Sequence, residues 1–189
     1  MVDKTNLSEL AHTLNDNHIK WGIGGSYLLK IYDLVDDPND LDLWVDPIDI
    51  VRVREIFDQY DEIYTSIPLP PNLHYKIKYR NTEVDFVGCF SVKPNQRSFK
   101  YNISPTNIKM IQLDEIEVPC TYLEDWYIVY RLLKRDEKAE MIKKFFKKHS
   151  FELSHSAIDD SIEISNLPKY LTKEVYNIVN NINQLTFFE

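Results

Sequence analysis

Apolar positions in the first sixty residues recur with two different periods. Leu7, Leu10, Ala11 and Leu14 fall at i, i+3, i+4 and i+7, the stripe of an amphipathic helix, and Asn6-Leu7-Ser8-Glu9 reads as a capping box at its start. His18 to Ile23 reads as a strand. Gly24-Gly25 breaks it, and Ser26 to Tyr32 has helical composition, so the glycines sit at a strand-to-helix turn. Leu41-Asp42-Leu43-Trp44-Val45 alternates with period two. Asp46-Pro47 then offers a cap with proline in the first helical position, which predicts a helix from Ile48 to Tyr60.

The middle of the chain is β-rich. Strands are expected over 62–65, 74–79 and 82–87, the last two joined by a turn at Arg80-Asn81, while the prolines between Ile67 and Asn72 exclude a central strand there. Residues 108–113 and 116–118 flank Asp114-Glu115 as a hairpin. After Cys120 the period becomes helical, with candidates over 122–134, 137–148 and 170–185 and a polar stretch around 150–156. The expected class is α+β: a mixed β-sheet flanked by helices, followed by a helical C-terminal third.

Of 189 residues, 43% are hydrophobic and 28% charged, which is globular composition and excludes whole-chain disorder. Apolar runs such as Trp126 to Tyr130 are far shorter than the roughly 20 residues a transmembrane helix needs, and the N-terminus lacks the pattern of a secretory signal. A cytoplasmic protein is the expectation. Cys89 and Cys120 have neither disulfide-framework nor zinc-site spacing. The net charge of −8 disfavours general adhesion to nucleic acid or membrane. Residues 131–149 run against this trend, with eight lysines and arginines to three acids; this basic segment reads either as a solvated helix face or as a place for an anion such as a nucleoside triphosphate.

Asp40 and Asp42 open a strand, where i and i+2 side chains share a face. Two carboxylates so close repel unless a cation joins them, and no cation to neutralise them is evident nearby in the sequence. Hard divalent cations take carboxylate oxygens and complete their shell with water and phosphate. Asp85, between Val84 and Phe86, points away from its apolar neighbours on a separate strand. Gly24-Gly25-Ser26 lets a ligand approach the backbone at a helix start and adds a hydroxyl donor. The five histidines, His12, His18, His74, His149 and His155, are scattered without triad or zinc spacing, and Trp126, Tyr127 and Tyr130 read as core.

A strand, Gly24-Gly25-Ser26, a helix, Asp40-Leu41-Asp42 on a second strand and Val84-Asp85-Phe86 on a later one, in that order, resemble the nucleotidyltransferase superfamily that includes DNA polymerase beta. The likeness spans residues 15 to 140. It is nearest to the small members: minimal, lincosamide and aminoglycoside nucleotidyltransferases and AbiE-type toxins. The stretch Val118 to Asp125 is similar to the start of the helix after their catalytic sheet, and Arg135 and Lys138 fall near basic residues that commonly follow.

The resemblance implies a catalytic core over 1–120 and a helical region over 121–189. It implies that Asp40, Asp42 and Asp85 hold two Mg²⁺ ions, or that Asp85 takes the acceptor's proton, and that Gly24, Gly25 and Ser26 bind the triphosphate. The implied reaction moves a nucleoside monophosphate from an NTP to a hydroxyl, preferably of a small molecule, with pyrophosphate leaving. The alternatives are a toxin-like enzyme acting on tRNA or protein and a noncatalytic nucleotide-binding module. Two departures stand out: Asp36-Asp37-Pro38-Asn39 precedes the Asp pair where many relatives carry Arg, Thr or His, and Tyr130 stands near the position of a usual lysine.

Overall fold

Alternating apolar residues do define the strands of a mixed sheet. The computed structural model describes residues 4–64, 73–93, 97–149 and 154–186. Their contacts gather into two compact units, Met1–Cys89 with Ile108–Thr121, and Phe90–Asn107 with Tyr122–Glu189.

The first unit carries α1 (Lys4–Asp16), β1 (Trp21–Ile23), α2 (Gly25–Ile31), β2 (Asp40–Val45), α3 (Ile50–Ile56), β3 (His74–Tyr79) and β4 (Thr82–Val87). Its β7 (Ile108–Leu113) and β8 (Ile116–Thr121) form the hairpin expected at Asp114-Glu115. The six strands lie in the order β3-β4-β2-β1-β8-β7. β2 runs parallel to β4 and antiparallel to β1, and β1 runs parallel to β8. Leu41, Leu43 and Val45 on β2, with Val84 and Phe86 on β4 and Ile77 on β3, are fully buried. That face is covered in part by Phe57, at the end of α3, which stacks on Phe86 with ring centroids 5.4 Å apart. Asp40 and Asp42, at alternate positions, point the other way and keep some exposure, while Trp44 further along the same face is buried.

The second unit holds β5 (Phe90–Val92) paired with β6 (Phe99–Tyr101), then α4 (Leu123–Leu132), α5 (Asp136–Lys148), α6 (His155–Glu163) and α7 (Lys169–Thr186). Trp126, Tyr127 and Tyr130 are buried, as expected of core residues.

Several local expectations are corrected. The first helix begins at Lys4, so Asn6 lies inside it and does not cap it. Its buried amide instead donates to Asn81 Oδ1 (2.9 Å) and Thr82 Oγ1 (3.1 Å), tying the helix to the β3–β4 turn. The strand expected at 62–65 is a single bridge from Glu62 to Ile77; Thr65 and the proline-rich segment lie outside the described residues. α3 is shorter than 48–60, because Asp46 closes a turn instead, its carboxylate and carbonyl accepting from the amides of Ile48 and Asp49, and Phe57 leaves the helix to pack in the core. β5, β6 and α6 were not foreseen. Ser154, whose hydroxyl accepts from the Ala157 amide, starts α6 within the stretch that reads as merely polar.

Candidate functional site

Chain reversal after β1 builds the centre of the site. Gly24 is extended, and its amide donates to the Asp42 carbonyl at 2.9 Å, which fixes the turn against β2. Its own carbonyl accepts from Leu28 and starts α2. Gly25 sits at φ +57°, in the left-handed region. A Cβ there would stand 1.8 Å from Asp42 Oδ2 and 2.5 Å from its Cγ, so the carboxylate lies directly against the glycine backbone. No other residue type fits position 25 without moving Asp42. Ser26 follows, half-buried, in the first turn of α2.

Pairing of β2 with β4 brings the third acid alongside. Asp42 lies opposite Asp85, and Asp40 opposite Glu83, in parallel register. The three sequence-identified carboxylates therefore share one sheet face. Asp85 is only 7% exposed. His74 Nε2 stands 2.5 Å from its Oδ1, an ion-pair distance, and neither buried atom has a further hydrogen-bond partner among the described residues.

Two residues that sequence reasoning missed belong to this face. His74 and Lys76 alternate along β3, and the antiparallel β3–β4 register sets Lys76 opposite Asp85. Lys76 Nζ pairs with Glu83 Oε2 at 2.9 Å. Burial pulls its ammonium pKa down, but the hydrogen bond to Glu83 and the charges of Asp85, Glu83 and Asp40 outweigh that and hold it above the usual lysine value. A cation that the sequence did not make evident thus stands on this face, paired with Glu83 and within reach of the charges of Asp85 and Asp40. The signal was present in the alternation His74-x-Lys76-x-Lys78 within an otherwise aromatic and aliphatic strand. Near the other departure, Lys30 pairs with Asp37 at 2.5 Å, and the hydrogen bond holds that carboxyl below its ordinary range.

Donor chemistry on this face fits a hard divalent cation. Asp40 and Asp42 offer carboxylate oxygens from one strand face, and Asp85 adds a buried carboxylate beside the His74 ring. Among the described residues no three His, Cys, Asp or Glu side chains are gathered closely enough to enclose an ion by themselves. An ion on these carboxylates would draw further oxygens from water and phosphate, which is the usual habit of Mg²⁺.

The basic segment divides differently. Arg131 grips Glu174 with two bonds, Nε to Oε1 at 2.9 Å and Nη2 to Oε2 at 3.0 Å, and also pairs with Asp136; Lys143 pairs with Glu140, and Lys138 lies over the Tyr130 ring. Burial pushes the Cys120 thiol up to about 12, so it stays protonated. No helix among the described residues is long and apolar enough to cross a membrane.

No protein-family model and no curated protein matches this chain. Solved structures do. The lincosamide antibiotic adenylyltransferase LnuA, determined with lincomycin bound, superposes with a TM-score of 0.52 at 10% identity, over 75% of this chain and 97% of its own. TM1012 from Thermotoga maritima, designated a nucleotidyltransferase, superposes with a TM-score of 0.51 at 17% identity, over 78% of this chain and 96% of its own.

Proposed function

We propose, from the premise that the chain has the nucleotidyltransferase fold of those structures, that it transfers a nucleoside monophosphate from an NTP to the hydroxyl of a small molecule. The observation that carries this reading is the seating of the Asp42 carboxylate on Gly25, where no Cβ fits, with Asp85 in register on the adjacent strand. A glycine turn held so closely to an acid leaves backbone amides and a carboxylate facing the same space, which suits a phosphate and its counter-ion together.

Asp40 and Asp42 would hold Mg²⁺, which when bound would neutralise the triphosphate and polarise its phosphorus–oxygen bonds. The Gly25 amide and the Ser26 hydroxyl position the phosphates by hydrogen bonding, while Gly24, whose amide is taken by the Asp42 carbonyl, shapes the turn that presents them. Asp85 accepts the proton of the acceptor hydroxyl, or shares in holding the cation. The oxygen–phosphorus bond forms at the α-phosphorus as the bond to the β-phosphate oxygen breaks, and pyrophosphate departs. Positioning and fixed charge supply most of the acceleration. A lincosamide-like acceptor is compatible with the fold likeness to LnuA; with a net charge of −8, nucleic acid is not the favoured acceptor.

Lys76 favours one second reading, a noncatalytic nucleotide-binding module in which its ammonium stands in for the metal. Thermal shift against each NTP, with and without Mg²⁺, separates the two. A ligand at 100 times its dissociation constant stabilises by about 2.7 kcal/mol. The catalytic reading expects a shift that requires Mg²⁺ and is lost in Asp42→Asn. A shift of equal size without metal and in the variant refutes the two-carboxylate assignment and leaves the module.

A further inference from the structure

A recess of about 860 Å³ opens within the unit formed by residues 90–107 and 122–189, a size in the range of small-molecule sites. Phe99, Leu132 and Pro168 contribute apolar surface to it. Arg97, Lys134 and Lys169 also line it, and its described lining holds no carboxylate. On a chain with 30 acids to 22 lysines and arginines, a hollow with cations alone departs from the average surface. None of the three cations forms an ion pair among the described residues.

The placement of two of them bears on this. Lys134 follows α4 at φ 59°, where the Arg135 amide donates to the Tyr130 carbonyl and the Lys134 amide to that of Arg131. This is the closing position of a helix, at which glycine is the favoured residue and lysine is not. Of the acids that follow at the start of α5, Asp136 is engaged by Arg131. Lys169 stands in the first turn of α7, which carries no acid, so its charge adds to the positive end of that helix. Tyr170 beside it, 66% exposed, offers an aromatic face at the same opening.

We infer that this recess binds a small organic anion with an aromatic or apolar body and a phosphate or sulfonate head. The body rests on Phe99, Leu132 and Pro168, and the head is held among Arg97, Lys134 and Lys169. The recess shares no lining residue with the carboxylate face, and the inference does not depend on whether the chain transfers nucleotides.

Titration of the full chain with 1-anilinonaphthalene-8-sulfonate, followed by fluorescence, tests it, with 1-naphthyl phosphate and uncharged 1-naphthol as competitors. The expected result is saturable binding at one site, displaced by naphthyl phosphate at concentrations where naphthol is ineffective. Affinity should fall at least about fivefold in the double variant Lys134→Gly, Lys169→Gln, since exposed charge pairs each contribute modestly. Glycine suits the backbone at position 134, so Lys134→Gly alone should melt no lower than the parent while binding the dye more weakly; this separates lost recognition from lost folding. Absence of saturable binding, equal affinity in the double variant, or equal displacement by naphthol overturns the assignment.

Discussion

Replacing Asp125 by asparagine should remove a contribution to one unit's stability that declines as the pH rises, and the structure gives its size. Asp125 is fully enclosed in the third position of α4. Its Oδ1 accepts from the Tyr101 hydroxyl (2.6 Å) and the Ser161 hydroxyl (2.7 Å), while the Asn107 amide approaches both oxygens at 3.3–3.4 Å and the Tyr122 amide closes back from the start of the helix. Asn107 also donates to the Ala157 carbonyl at 2.6 Å, so this one carboxyl gathers β6, the loop after it, α4 and α6. Burial raises its pKa from 3.8 to about 6, against those hydrogen bonds, which all favour the ionised form. An acid with a raised folded-state pKa binds more protons folded than unfolded between the two values. Its stabilising contribution is full well below about pH 4 and is lost as the pH rises through 6. A shift of this size corresponds to about 3 kcal/mol. Urea unfolding followed by tryptophan emission, with Trp126 in the same helix, reads it at intervals from pH 4 to 7.5. Measured as parent minus Asp125→Asn, stability should fall by about 2 kcal/mol across that interval, since part of the change lies below pH 4, a change of roughly 1 M in urea midpoint. A difference that stays constant within about 1 kcal/mol, or that grows with pH because the four donors hold the carboxylate ionised, refutes the reasoning.

On the sheet face, Gly25→Ala should lower the melting temperature through both the left-handed backbone, at about 1–2 kcal/mol, and the overlap with Asp42. It should also abolish the metal-dependent nucleotide shift; a variant that keeps the full shift would mean the glycine contact has no bearing on the nucleotide. Asp85→Asn keeps the side-chain size and should retain nucleotide binding while pyrophosphate release with an acceptor hydroxyl drops by two orders of magnitude or more, on the order expected for losing a positioned base. Turnover within a few-fold of the parent would make Asp85 a structural strand residue.

How far the site could be read from the chain follows from how local each determinant is. Alternation in Leu41 to Val45 and in Thr82 to Val87 is local, so the strands and the faces of Asp40, Asp42 and Asp85 were legible. That Asp42 meets Asp85 was not, because β2 and β4 pair in parallel across an intervening helix and strand, and nothing in either segment encodes the neighbour or the register. The roles of His74 and Lys76 depend on the same pairing, one strand further out. Asn6 misled for a different reason. Its type is that of a helix cap, yet a tertiary bond to Asn81 and Thr82 gave it another use, and the helix could then begin earlier. α6 is short and polar on most of its faces, so only its cap, Ser154, signalled it.

The two acids at the centre of the face are held by unlike means, and this bears on how they act. The strand carrying Asp42 is fixed to the turn by a backbone bond, Gly24 amide to Asp42 carbonyl, and the carboxylate then lies on a Cα that has no side chain to displace it. Its position follows from the fold, which is what a group meant to hold a fixed charge requires. Asp85 instead is set by its strand and by a side-chain contact, with His74 Nε2 2.5 Å from its Oδ1. Lys76 meanwhile offsets the repulsion of Asp40, Glu83 and Asp85. Asp40, Asp42, Asp85 and Glu83 outnumber the single Lys76 ammonium, so a triphosphate arriving alone meets surplus negative charge that a divalent cation brought with it would offset. In this arrangement metal and nucleotide should bind cooperatively, each weakly alone, because either one by itself leaves a charge on this face unopposed.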